Sequence, residues 1–154
     1  MDIGQLLKRD AVAVRVSANS KRQALGALAE IASRSLGLPE AEILDALLER
    51  EQQGSTGVGQ GVAVPHARLD GLERMAGVFV KLDTPVPFEA VDDRPVDLLF
   101  ALFAPRESGM DHLRALAKVS RLLRQTQLRE QLRQARTGDA VYALLSRDAA
   151  SNAA

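Results

Sequence analysis

The chain reads as a three-layer α/β domain, and three observations predict it. β-rich runs and amphipathic helical patterns are mixed along one length. No linker and no internal repeat divides them, so one core with helices packed on a sheet is the natural arrangement. At 154 residues, 46% of them hydrophobic, the chain has the size and apolar content to bury that core. A single domain over residues 1–148 with a frayed tail over 149–154 is the expected organisation.

The elements follow in order. Residues 11–16 are short and rich in valine and read as a first strand. Ser20 with Gln23 three residues on has the form of a capping box; Ala24, Leu25, Leu28, Ile31 and Ala32 then share one helical face, and Gly37 ends the run. Pro39 suits the first turn of a second helix, with Glu40 and Glu42 complementing its dipole, Ile43, Leu44, Leu47 and Leu48 as the buried face, and Arg50 near its end. A glycine-rich loop occupies residues 52–61. Val62–Val64 reads as a short strand that Pro65 must close, which leaves His66 at a strand end. Residues 75–82 form a strand candidate, 84–87 a turn or edge segment, and 95–103 a strand buried on both faces. Ser108 and Asp111 make a second capping pattern before a helix from His112 to Leu123, with further helical patterns over 127–134 and 139–145.

Composition removes several classes of function. Twenty basic and twenty acidic side chains give a formal net charge of zero, so no global field recruits nucleic acid or an anionic membrane, and an aromatic content of 3% leaves few stacking platforms. Without cysteine there is neither a disulfide framework nor a thiolate metal site, and two well-separated histidines are too few ligands for another metal centre. No metal and no cofactor is expected. The N-terminus lacks the basic and apolar regions of a signal peptide, and no apolar run is long enough to span a bilayer, so a cytoplasmic protein without membrane insertion is the expectation.

The informative segment is Gly54-Ser-Thr-Gly-Val-Gly-Gln-Gly61, which runs through Val62-Ala-Val-Pro65 into His66. A Walker loop needs a lysine that is missing here, and the dinucleotide spacing and the serine-hydrolase elbow are both out of register. What remains is a place to hold a phosphoryl group on an imidazole. Glycines let backbone N–H groups approach an anion, the hydroxyls of Ser55 and Thr56 add hydrogen bonds, and a neutral imidazole is a competent nucleophile near pH 7. Gly54, Ser55, Thr56 and Gly57 are therefore candidate phosphate-loop residues. Arg50, 16 residues before His66 across a tight loop, can fold back and give the anion a counter-charge. His112, in the first turn of a helix capped by Ser108, is expected to stay neutral against the positive dipole end. On spacing alone the plain alternatives stay open: a structural turn, a solvated arginine and a helix-surface histidine.

Arg50-Glu51, the block from Gly54 to His66, Pro95-Val-Asp-Leu-Leu-Phe-Ala-Leu102 and Asp111-His112-Leu113 together closely resemble the enzyme IIA domain of the fructose/mannitol class of bacterial phosphotransferase systems, and within it the nitrogen-regulatory group. The likeness runs from about Ile3 to Leu145. It implies a mixed sheet flanked by helices, with His66 as the phosphorylated residue taking phosphate through Nε2 from a small carrier similar to HPr, flanked by Arg50 and His112. A phosphotransferase component with a phosphohistidine intermediate is then expected, and its partners are that carrier together with regulatory targets or a IIB domain. Gln60 departs from the asparagine of many members, a change expected to matter little because either amide can bond the loop backbone. Since no IIB or membrane domain is fused to the sequence, a nitrogen or metabolic regulatory role is favoured. The alternatives are a sugar-transport IIA unit and a binding module that works without phosphorylation.

Overall fold

In the computed structural model, which describes residues 2–152, six strands form one mixed sheet flanked by helices. A short helix α1 (Ile3–Leu6) leads into β1 (Leu7–Val16); α2 (Lys21–Leu36) and α3 (Glu40–Gln52) follow. Next come β2 (Gly57–Gly59), β3 (Val62–Ala63), β4 (His66–Leu69), β5 (Ala76–Val86) and β6 (Val96–Pro105), then α4 (Met110–Leu123), α5 (Thr126–Gln134) and α6 (Gly138–Asn152). The sheet order is β1-β5-β6-β3-β2, with β4 also paired to β6.

Strand β6 is the axis. Leu98 through Ala104 are all buried, and because successive side chains point to opposite faces, the sheet must be covered on both. That makes three layers. Helix α2 lies over β1 and β5 and packs on α3, which reaches β4; α4 lies on β6 and α6 on β1. Phe79 and Phe100, paired antiparallel across β5 and β6, meet edge to face with centroids 6.3 Å apart.

Helix α2 starts and stops as its sequence predicts. Ser20 Oγ accepts from Gln23 N at 3.1 Å and the helix ends against Gly37, although the Gln23 side chain reaches back to Asn19 N at 2.7 Å, one residue earlier than a strict capping box. On α3, Pro39 is the N-cap residue, and of the four apolar positions Ile43 and Leu47 are fully buried while Leu44 and Leu48 are partly so.

Elsewhere the elements differ from the sequence reading. β1 begins at Leu7, four residues early, and is preceded by α1. The glycine loop contains a strand of its own, β2, antiparallel to β3. Residues 84–86 are the end of β5 rather than a turn; Pro85 is tolerated because it falls in the irregular stretch between the Lys81–Leu98 and Val86–Val96 pairs, where no ladder bond is lost. Helix α6 is described to Asn152, into the segment read as a tail, while residues 153 and 154 lie outside the described residues.

Candidate functional site

β3 and β4 run parallel to β6 one after the other, Val62 opposite Leu98 and His66 opposite Leu102. Pro65 separates them. It has no N–H to give, and its carbonyl accepts from Leu102 N at 2.9 Å, so the backbone stays fastened to β6 across the break. His66 therefore opens β4 instead of trailing β3.

Both ring nitrogens of His66 are engaged. Nδ1 lies 3.0 Å from the Val64 carbonyl, and Nε2 lies 3.1 Å from Arg50 Nε, which can only donate. The two bonds are satisfied together when the proton sits on Nδ1 and the lone pair on Nε2. Burial holds the imidazole pKa below its ordinary value, and the Arg50 guanidinium adds to that, against the Val64 bond and Glu51, which raise it. A neutral ring with an available lone pair is the form a nucleophile needs.

Arg50 comes from the last turn of α3 and is gripped a second time, Nη1 donating to the Gly54 carbonyl at 2.9 Å. His112 sits in the first turn of α4, only 6% exposed, with its ring 5.4 Å from that of His66 at 80°. Its pKa falls to about 4, mainly through burial, with His66 and Arg68 contributing. Its Nε2 has no hydrogen-bond partner among the described residues. Neutrality is as the sequence suggests, but desolvation is the leading cause rather than the helix dipole.

The structure brings His66, Arg50 and His112 together and sends the loop hydroxyls elsewhere. The cap assigned to Ser108 is corrected: Gly109 is the N-cap, at φ 59° and ψ −134°, where a Cβ would be strained, and Ser108 Oγ is buried without a partner among the described residues. The candidate phosphate-loop residues Gly54, Ser55, Thr56 and Gly57 have their hydrogen bonds within and beside the loop in this structure. Ser55 Oγ donates to the Phe88 carbonyl at 2.6 Å and accepts from Gly57 N; Thr56 N and Oγ1 both donate to Glu51, at 2.8 and 2.7 Å. These groups hold the loop itself. Gly57 is glycine because a Cβ there would come 2.7 Å from Ala90 Cβ. Gln60 does not bond loop backbone through its amide; its side-chain oxygen accepts from Arg94 at 3.0 Å.

The histidines open into a cleft of about 400 Å³ whose lining includes Arg50, Arg68, Arg106 and Leu113. Three guanidiniums face it against the single carboxylate of Glu49. Arg68 and Arg106 escaped the sequence reading because their partners, the Arg106 carbonyl and Asp70, lie far along the chain. Among the described residues no group of three or more His, Cys, Asp or Glu could hold a metal, and no helix is long and apolar enough to cross a membrane.

The sequence model of the family described as "Phosphoenolpyruvate-dependent sugar phosphotransferase system, EIIA 2" matches residues 5–148. The chain belongs to this EIIA type-2 family. Within it, the chain is 44% identical over 146 residues to the nitrogen regulatory protein of Bradyrhizobium diazoefficiens, covering 95% of each, and 38% identical over 147 residues to that of Escherichia coli, covering 95% of this chain and 90% of the relative. Among solved EIIA structures, the nitrogen regulatory protein IIA-Ntr of Neisseria meningitidis superposes with a TM-score of 0.87 at 34% identity, over 93% of this chain and 98% of that one. The mannitol IIA of Escherichia coli shares the fold, with a TM-score of 0.76 at 21% identity over 90% and 97%.

Proposed function

We propose that the protein is a phosphocarrier of a phosphoenolpyruvate-dependent phosphotransferase system, and that His66 accepts the phosphoryl group from the phosphohistidine of an HPr-like carrier. The observation that carries this is the His66 Nε2 lone pair, kept free of a proton by the Nδ1 bond to Val64, held by Arg50 and set at an arginine-lined cleft. In the transfer, that lone pair forms the new N–P bond while the donor's N–P bond breaks and its electron pair returns to the donor imidazole. No proton has to move, because Nδ1 keeps its own. Arg50 leaves Nε2 and turns its fork to the phosphoryl oxygens, where planar bidentate bonding is worth most. Positioning and charge stabilisation cover the requirement without a cofactor.

The output we propose is nitrogen or metabolic regulation, with the state of His66 deciding which target proteins bind; the nitrogen regulatory proteins among its relatives support this over a transport role. The reading takes residues 1–148 as one working unit in the cytoplasm, where such a donor operates. Incubation with phosphoenolpyruvate and the general phosphotransferase proteins should put acid-labile phosphate on the wild type and none on His66→Ala. Labelling of His66→Ala at the wild-type level would sink the assignment. Efficient onward transfer to a IIB protein from the same cell would favour transport, and a dead end favours regulation.

A further inference from the structure

Behind Arg50 lies a buried ion pair that touches neither histidine. The Glu51 side chain is 5% exposed and both its oxygens are engaged: Oε1 accepts from Thr56 N and from Lys21 Nζ at 3.0 Å, and Oε2 accepts from Thr56 Oγ1. Lys21, the first residue of α2, rests over the Phe88 ring at 4.7 Å, and the Phe88 carbonyl takes the Ser55 hydroxyl. A carboxylate in such a place costs desolvation energy that surface residues avoid, and its hydrogen bonds and the Lys21 charge must offset that cost.

The backbone carbonyl of Thr56 accepts from Val64 N at 2.9 Å, and the Val64 carbonyl is the group that fixes the His66 ring. By drawing Thr56 inward, Glu51 also reverses the chain after Gln53 and presents the Gly54 carbonyl to Arg50 Nη1. One carboxylate thus reaches the site by two routes, through Gly54 to the guanidinium and through Val64 to the imidazole. Without them, Arg50 is a long side chain with its rotamer freedom restored.

We propose that Glu51, paired with Lys21, is the positioning residue that sets Arg50 Nε on His66 Nε2 by way of Thr56. This rests on the reading of His66 as phosphoryl acceptor. Glu51→Gln keeps the shape of the side chain while removing the Lys21 ion pair and the carboxylate as acceptor on both oxygens. It should remain folded and accept phosphate at least about tenfold more slowly, the scale of losing hydrogen bonds to a charged group. In an Arg50→Ala background the same change should cost less than threefold, because most of its effect passes through a guanidinium no longer there. Equal losses in both backgrounds, or a wild-type rate for Glu51→Gln, would overturn the proposal. Should Glu51→Gln fail to fold, Thr56→Val carries the same comparison, since it removes only the Oγ1 bond and keeps the volume. A second readout needs no phosphate: the Arg50 Nε–H proton resonance should exchange slowly in the wild type and be lost in either variant, while the Nδ1–H tautomer of His66 becomes mixed. If the wild type accepts no phosphate, the functional reading falls, yet these resonances still decide the positioning role; an unchanged Arg50 signal in both variants rejects it.

Discussion

Nε2 of His66 is at once the proposed nucleophile and the acceptor of the Arg50 bond, so the arginine has to let go before the phosphorus can arrive. Its worth then lies in the transition state, where charge builds on oxygens it can follow. Arg50→Ala should slow phosphoryl acceptance by roughly 10²–10³, the usual effect of removing one such donor, with little change in urea-unfolding midpoint. Arg50→Lys should recover only part of the rate, since an ammonium lacks the fork. A parallel fall in stability and rate would instead make Arg50 structural. His112 gives a prediction in pH. Its folded pKa of about 4 lies below the unfolded value near 6.5, so between those limits the unfolded chain binds the extra proton. Stability should therefore begin to fall as pH drops below 6.5 and level off below 4, and the lowered value of His66 acts in the same direction. Urea midpoints at pH 7 and pH 5 should differ less in His112→Gln than in the wild type; an identical difference would show that His112 titrates normally.

Two serines that look alike in sequence behave differently at the ends of their helices. Ser20 Oγ accepts the Gln23 amide at the start of α2, whereas Ser108 Oγ, two residues before α4, is buried without a partner among the described residues. Ser20→Ala should cost about 1 kcal/mol in chemical denaturation, and Ser108→Ala should cost nothing measurable, because no bond is lost and a buried unpaired hydroxyl is removed. A loss of similar size at both would restore the cap to Ser108. The contrast shows what local pattern carries. Spacing finds where a helix begins, as it does for α2 and approximately for α4, but the φ > 0 of Gly109 that decides the cap has no signature in the Ser-x-x-Asp pattern. Strand β2 is invisible for a similar reason: glycines have low β propensity, and Gly57–Gly59 is a strand only because β3 lies alongside it. The extension of β5 through Pro85 is likewise set by its neighbour. At the site, the glycine block and His66 stand out in the residues themselves, while the approach of His112 depends on α4 packing against β6. The pairing of Lys21 with Glu51 has no signal in the sequence, because nothing in their spacing joins residues on two different helices.

Taken as a whole, the molecule is built around β6, and its cost of disruption should be correspondingly high. Phe100 is fully buried against Phe79 and sits so close over Gly77 that a Cβ there would lie 2.7 Å from its ring. Phe100→Ala should lower stability by about 3–5 kcal/mol, measured by urea unfolding, with a smaller change marking a core able to collapse into the gap. The pairing of distant segments has a further consequence, for a chain still being made. Leu7 pairs with Gly77 and His66 with Leu102, so when residue 66 leaves the ribosome the strand that will hold it has not yet emerged. Such long-range parallel pairing is slow to close and waits for its partner. Until β6 and then the helix bearing His112 have emerged, imidazole 66 is an ordinary side chain on an unfolded tether. Nascent chains stalled with Ala90 as their last exposed residue should take no phosphate, and those exposing everything through Leu123 should begin to. Copies exposed only as far as Ala90 should then not compete with finished ones for a phosphoryl donor.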